Sequence, residues 1–307
     1  MEENIIYISL FFFNLSIIPL LWTILNKIEA IFSWKKWPRL FQWYYDLSKL
    51  LNKEDFKSEF TSLISFISPI IILVVAILFL FFLPIFYSSN YFDINIIVLF
   101  HFLGISSFFL ILYWMDNSTY FWWLWASRES FVLLITEPII ILLISWFVVL
   151  SNWEMNLLDI SNFFSNNNDL WIWIISSIFA ITLFFIFLAE NKRFPFDNPS
   201  THLELTMIHE AMLLETSWKT LFILELASKI IMFSFINLFL LLFWTESYWL
   251  VNIFSIIWLW FIKVLILLLF IWIFEVLITK LRLFKYQNIF LFLLVTLFLS
   301  SIFYFIK

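Results

Sequence analysis

The sequence predicts an all-α polytopic membrane protein, with a single integral membrane domain over residues 1–307. Of the 307 residues, 64% are hydrophobic and 13% are charged, whereas soluble domains carry roughly 25% charged residues. The mean hydropathy is +1.01. Apolar runs long enough to cross a bilayer, which takes about 20 residues, recur eight times. They lie at about 5–26, 62–87, 94–113, 129–150, 170–189, 218–243, 249–279 and 287–306.

Charge placement along these runs gives an orientation. Basic residues follow every odd-numbered span, whereas the other connections carry only acids. Because basic residues collect on the cytoplasmic side, both termini are expected on the non-cytoplasmic side. The cytoplasmic loops are then at about 27–59, 114–128, 190–217 and 280–286. The expected location is a bacterial-type cell membrane, with the inner mitochondrial membrane as the alternative. Basic residues form no continuous stripe, so no nucleic-acid partner is expected.

Two shorter helices are predicted outside the spans. After the first span, leucines and Tyr44 recur at helical spacing opposite Asp46, Lys49 and Lys53, which is typical of an amphipathic helix lying in the membrane interface. After the fifth span, Pro195 and Pro199 keep the chain out of a helix. A capping box between Thr201 and Glu204 then predicts a short polar helix from 202 to about 214.

The counts of three residue types are unusual. There is no Cys, so the chain supplies no thiolate for a metal or an iron–sulfur cluster. The histidines lack the usual i, i+4 spacing of a metal-binding pair, and no metal site is predicted. There is one Gly, against an average of about 7%, but 18 Trp. An aromatic belt explains the Trp but not the missing Gly. The sharper hypothesis is that the source reads the codon UGA as glycine, whereas the translated sequence gives tryptophan at each such codon.

Acidic residues and histidines gather between 190 and 229, in a chain that is otherwise largely apolar. Polar groups at membrane depth are costly, which favours a role in handling charge. A carboxylate removed from water has a raised pKa and can pass a proton. The residues are Glu190, Asp197, His202, Glu204, His209, Glu210, Glu215 and Glu225. A charged docking face for a soluble partner is the alternative, and Glu204 is also explained as a helix cap.

Four further charged residues lie inside predicted spans. Glu129 and Glu137 are eight residues apart, about 80° around a helix, so both can face one interior channel. Glu129 is equally explained as an acid at a helix N-terminus. Lys263 and Glu275 lie in the seventh span, and Lys263 is expected to pair with Glu137 or Glu225. Glu225 and Lys229 have the i, i+4 spacing of an intrahelical ion pair, which is a structural alternative for Glu225.

Four segments resemble subunit 1, or H, of respiratory NADH:quinone oxidoreductase and its counterpart in membrane-bound NiFe hydrogenases and formate hydrogenlyases. They are KKWPRLFQWYYDLSKLLNKE at 35–54, WMDNSTYFWWLWASRESFVLLITEP at 114–138, AENKRFPFDNPSTHLELTMIHEAMLLE at 189–215 and ITKLRLFK at 278–285. The run DNPSTHLELTMIHEAM is similar to the hydrogenase branch. Trp repeatedly stands where the family has Gly, which supports the recoding hypothesis.

The resemblance implies a membrane subunit that couples a cytoplasmic redox module to proton or sodium movement. The alternative is the quinone-binding subunit of NADH:quinone oxidoreductase, and a stand-alone secondary transporter is less favoured because no inverted repeat is evident. Expected partners are antiporter-like membrane subunits, soluble iron–sulfur or hydrogenase-like subunits, and lipid. The chain is expected to bind no cofactor itself, apart from quinone in the alternative, and to contribute no catalytic residue. Iron–sulfur and NiFe centres are expected in partner subunits.

Two sets of site residues follow. The predicted ion path comprises Glu129, Glu137, Glu190, Glu204, His209, Glu210, Glu215, Glu225, Lys263 and Glu275. The predicted surface for the soluble partner comprises Arg39, Asp46, Arg128, Arg193, Asp197 and His202.

Overall fold

The computed structural model describes residues 2–32, 34, 36–54, 61–83, 94–116, 120–167, 169–197, 216–243, 253–278, 281 and 283–306. That part of the chain contains ten helices. They are α1 (Glu2–Phe32), α2 (Gln42–Leu51), α3 (Leu63–Phe82), α4 (Ile96–Asp116), α5 (Tyr120–Leu150), α6 (Leu157–Asn166), α7 (Leu170–Glu190), α8 (Trp218–Phe243), α9 (Ile253–Leu277) and α10 (Leu283–Ile306). All except α2 and α6 are long and apolar enough to cross a membrane, which confirms the eight predicted spans.

Helix α8 lies at the centre of the bundle. It packs against α1, α2, α3, α6, α7 and α9, and 61% of its spanning segment is buried, the largest share of any span. Its interior polar groups are hydrogen-bonded, as burial in an apolar environment requires. The Asn237 side chain accepts a hydrogen bond from the Trp260 indole at 2.8 Å, which ties α9 to α8.

Helices α3 and α4 form an antiparallel hairpin that is closed at one end by a side chain. Asp116, the last residue of α4, accepts hydrogen bonds from the backbone N–H groups of Ser62 at 2.9 Å and Ser65 at 3.1 Å. These N–H groups lie at the N-cap and in the first turn of α3 and have no partner within their own helix. The carboxylate therefore caps α3 and fixes the end of α4 beside it.

At the opposite end of α4, the chain is tied to the segment before α6 by an isolated antiparallel bridge between Asn95 and Asn156. Ile96 N–H donates to Met155 O at 3.0 Å, and Leu157 N–H donates to Ile94 O at 3.1 Å. The sequence did not predict α6, because ten mixed residues are too short and too polar to register as a span.

The predicted amphipathic helix is present as α2, and none of its residues is buried. Its Tyr44 hydroxyl donates to the Ser16 carbonyl of α1. Beyond its end, the Lys53 ammonium lies 3.2 Å from the ring centroid of Trp218, at the start of α8. These contacts hold α2 and the residues after it against the middle of α1 and the start of α8. The second predicted short helix, at 202–214, lies outside the described residues.

Candidate functional site

The site begins where α7 ends. Lys192 has a φ of 56°, which is the left-handed conformation that closes many helices. Its N–H donates to Ala189 O at 3.1 Å, and the N–H of Arg193 donates to Leu188 O at 2.9 Å. This closure reverses the chain direction, and both basic side chains reach back toward the spans.

Each of these basic side chains pairs with an acid on another span. Lys192 Nζ lies 3.1 Å from Glu129 Oε1 on α5, and Arg193 Nη1 lies 3.3 Å from Glu275 Oε1 on α9. The four side chains are between 5% and 13% exposed. Breaking a buried pair leaves an uncompensated charge, which costs several kcal/mol. The turn after α7 is therefore held to both helices by charge.

Glu190 is held differently from these acids. Thr136 on α5 donates a hydrogen bond to its Oε1 at 3.0 Å, and Ser107 on α4 donates to its Oε2 at 3.3 Å. Glu190 also lies close enough to Glu129 and Lys192 to interact electrostatically with both. Its carboxylate thus stands where α4, α5 and α7 meet, next to a cation that is shared with a second acid.

Two of the cations contact the same aromatic ring. Arg193 Cζ lies 4.6 Å from the ring centroid of Trp22 on α1, and Lys229 Nζ lies 3.6 Å from it. Rings attract cations in this range through their negative face. Lys229 also pairs with Glu225 at 3.6 Å, so the i, i+4 pair expected in this helix is present.

A cavity of about 80 Å³ opens among these groups. Glu190, Lys192, Arg193, Asp197 and Lys229 line it, together with apolar residues of α1, α3, α4 and α8. The volume is enough for several water molecules, since each needs roughly 10–15 Å³. Charged groups around such water can exchange protons or shift their pairing without crossing an apolar barrier.

The chain beyond Arg193 is fixed on α10. The N–H groups of Phe196 and Asp197 donate to Arg193 O at 2.8 and 3.1 Å. The Phe196 ring stacks on Phe290 at a centroid distance of 5.1 Å, and its carbonyl accepts a hydrogen bond from Tyr286. This anchoring keeps the cavity wall in place.

Several predicted ion-path residues converge on this cavity and others do not. Glu190 lines it, Glu129 and Glu275 pair with its cations, and Glu225 pairs with Lys229. Lys263 is buried in α9 at 6% exposure. Predicted residues outside the described part of the chain are His202, Glu204, His209, Glu210 and Glu215.

Glu137 differs from expectation. The sequence predicted that it faces an interior channel with Glu129, but Glu129 is 7% exposed and Glu137 lies on the outer surface of the chain. A separation of about 80° is enough to place one residue inside and the other outside when the first lies near the edge of the buried face.

The predicted partner surface is also divided. Arg39 and Asp46 are exposed and Arg128 is half-buried. Arg193 and Asp197, however, are only 4% and 2% exposed, because the turn after α7 folds inward. A docking role requires accessible side chains, so the structure differs here from the expectation.

Sequence reasoning missed Ser107, Thr136 and Trp22. The first two had a signal, since each is a hydroxyl residue in an apolar span, and Thr136 directly precedes Glu137. Trp22 had none, because it resembles any other aromatic residue in a span. The pairing of Arg193 with Glu275 had none either, because the two are 82 residues apart.

A family model described as NADH dehydrogenase matches residues 5–306. The chain belongs to the NADH dehydrogenase family. This confirms the resemblance to the subunit 1 type, and it makes the protein an integral membrane subunit of a redox-driven complex, with other subunits as partners. No curated protein matches the chain.

Among solved structures, the fold is similar to a chain of the membrane-bound sulfane sulfur reductase, an archaeal respiratory membrane complex. The TM-score is 0.84 with 16% sequence identity, and the match covers 99% of each chain. The two chains thus share nearly the whole architecture with few residues in common.

Proposed function

We propose that this family member couples electron transfer in a cytoplasmic, hydrogenase-like module to the movement of protons or sodium ions. The observation that carries the proposal is the cavity after α7, where Glu190 meets Lys192 beside Glu129, and Arg193 pairs with Glu275. Acids and bases so close together are sensitive to any charge that changes nearby.

The coupling step is an exchange of partners by Lys192. Its ammonium lies 3.1 Å from Glu129 and interacts electrostatically with Glu190 as well, so a small movement transfers it between the two acids. Electron transfer in a partner subunit changes the charge near the cavity. This change alters which of the two acids Lys192 pairs with. The acid that loses the cation takes up a proton from the cavity water, and the acid that gains it releases one.

The proposed orientation places this cavity on the cytoplasmic side, with both termini on the other side of a bacterial-type cell membrane. The cavity lies at the end of the bundle where α4 and α7 finish and α5 and α8 begin. The basic loops connect these same ends. Soluble iron–sulfur or hydrogenase-like subunits would cover this side, and antiporter-like subunits would continue the path within the membrane.

Quinone reaction at the same cavity is the second candidate function. Apolar Ile72 and Leu103 line it together with the donors of Lys192 and Arg193, and such a mixed lining suits a quinone headgroup. The cationic side chains would hold its carbonyl oxygens. A bound quinone would accept electrons from a partner's redox centre.

The test uses the purified complex in proteoliposomes, driven by reduced methyl viologen or NADH, with dyes that report internal pH and sodium. We expect Glu190→Gln to assemble normally but to lower ion movement per electron at least about tenfold, because the amide cannot exchange a proton. Glu154→Gln is the matched control, since Glu154 is exposed outside the spans. Unchanged ion movement in Glu190→Gln would contradict the proposal.

Two further measurements separate the alternatives. Protection of the complex from a cavity-directed inhibitor by added quinone would favour the quinone-reactive version. Ion transport by this chain alone in liposomes, together with purification free of iron–sulfur subunits, would instead identify a stand-alone transporter.

A further inference from the structure

Glu137 occupies an unusual position on the outer surface of α5. It lies in the middle of the span Ala126–Leu150, about 17 Å from one end and about 20 Å from the other at ~1.5 Å per residue. The hydrocarbon core is about 30 Å thick, so Glu137 lies near its centre. Yet its side chain is exposed at the surface of the chain.

The surroundings on this chain do not shield the carboxylate. Leu134 and Ile141, one turn away on either side, are 70% and 66% exposed. Val98 and Ile105 of α4 continue this apolar surface at 45% and 39% exposure. No basic side chain pairs with Glu137 among the residues that the structure describes. Lipid tails offer no hydrogen bond to a carboxylate at this depth, so protein must cover it.

The adjacent surface of α4 has the features of a packing site. Gly104 is the one glycine in the sequence, and a Cβ added to it would lie 3.4 Å from Glu137 Oε1. The α4 backbone at Gly104 thus lies directly against the carboxylate. His101 is exposed one turn away, with its Nδ1 2.7 Å from Ile97 O.

Small polar residues extend this surface along α5. Ser130 is exposed about 20° around α5 from Glu137, and Ser127 and Ser145 are exposed about 80° from it. Small and polar residues of this kind allow a neighbouring transmembrane helix to approach closely and to form hydrogen bonds across the contact. The pattern fits a helix partner better than lipid.

This outer face adjoins the interior site. Thr136, next to Glu137, donates to Glu190 at 3.0 Å, and Ser107, one turn from Gly104, donates to it at 3.3 Å. Glu190 on the inside and Glu137 on the outside therefore lie on opposite sides of the same seam between α4 and α5.

We propose that the α4–α5 face, defined by Val98, His101, Gly104, Leu134, Glu137 and Ile141, docks a second membrane-spanning subunit that brings a Lys or Arg side chain to Glu137. Charge complementarity identifies the partner, because a basic group compensates a carboxylate that lipid cannot. The inference rests on the proposed function in one respect, because it takes this face as the place where the ion path continues into a neighbouring membrane subunit.

The first experiment places the photo-crosslinking residue benzoylphenylalanine at position 134 or 141 in the complex in native membranes. We expect both positions to form a covalent adduct with one membrane-embedded subunit. The same variants expressed without the other subunits should form none. Adducts with lipid alone at both positions of an intact complex would overturn the inference.

The second experiment tests the charge. Glu137→Gln keeps the shape but leaves the partner's basic group without its counter-charge, so we expect weaker retention of that subunit during purification. Glu137→Lys should reduce the retention of that subunit at least tenfold. Replacing the basic residue of the crosslinked subunit by an acid should restore the retention. Retention of the subunit by Glu137→Lys at the wild-type level would contradict the proposal.

The two proposals fail separately. Lipid-only adducts with reduced ion movement in Glu190→Gln would leave the proposed function and remove the docking face. A subunit adduct at 134 and 141 with unchanged ion movement in Glu190→Gln would retain the docking face and remove the coupling role.

Discussion

At the residue scale, two tryptophans have a backbone conformation that favours glycine. Trp34 has a φ of 55° and Trp153 a φ of 71°, and each lies just beyond the end of a spanning helix. They are 96% and 73% exposed, so the indoles gain little from packing. A left-handed backbone costs any residue with a Cβ roughly 1–2 kcal/mol. Trp260 contrasts with both, because it is buried and donates to Asn237.

These positions extend the recoding hypothesis to a specific prediction. We expect peptides from the native source to carry Gly at 34 and 153, as well as at Trp positions within 121–128, when they are sequenced by mass spectrometry. Trp at all of these positions would contradict it.

The same hypothesis predicts how the protein with Trp at these positions responds to substitution. Trp34→Gly and Trp153→Gly should each raise the free energy of unfolding by about 1 kcal/mol, because the left-handed strain is relieved. Trp173→Gly is the matched control: Trp173 is also exposed, but it lies within α7, where Gly should lower the free energy of unfolding by about 1 kcal/mol. Thermal unfolding in one detergent compares the three.

At the scale of elements, the short turn after α7 contacts three other helices. Within residues 190–197, the chain is linked to α5 through Lys192, to α9 through Arg193 and to α10 through Phe196. Removal of one charge should therefore affect the stability of the whole bundle.

Lys192→Asn tests this while preserving the backbone, since Asn tolerates the left-handed conformation. We expect it to lower the free energy of unfolding by about 3 kcal/mol, because buried Glu129 loses its partner. Adding Glu129→Gln should recover most of the loss. Lys49→Gln on the exposed side of α2 is the control. A loss in the double variant as large as the sum of the two single losses would argue against a coupled pair.

The elements also show what the sequence could and could not predict. The eight spans were predictable, because long apolar runs have few alternatives. The start of α5 was not, since the nine residues from Tyr120 to Arg128 are too mixed for hydropathy to identify. Helical spacing placed Glu129 and Glu137 about 80° apart but could not show which direction faces the bundle. Pairing was predictable only for Glu225 and Lys229, which are neighbours on one helix.

At the scale of the whole molecule, the orientation in the membrane is open to a direct test. The absence of cysteine allows single Cys substitutions to be labelled without background. Ser165 on α6 and Ser48 on α2 are both exposed, and they lie at opposite ends of the bundle.

We expect Ser165→Cys to react with a membrane-impermeant maleimide in intact cells. Ser48→Cys should react only after the cells are permeabilised, because α2 follows the first span on the side of the basic loops. The reverse pattern would place both termini in the cytoplasm and invert the assignment.

The bridge between Asn95 and Asn156 constrains how this molecule can deform. It fastens the start of α4 to the segment before α6, while Asp116 joins the other end of α4 to α3. Any tilt of the α3–α4 hairpin that keeps this bridge intact has its pivot at the bridge. Displacement is smallest there and grows along α4, through Gly104 to Ser107. A tilt of a few degrees would thus lengthen the hydrogen bond from Ser107 to Glu190 while the bridge at Asn95 stayed in place.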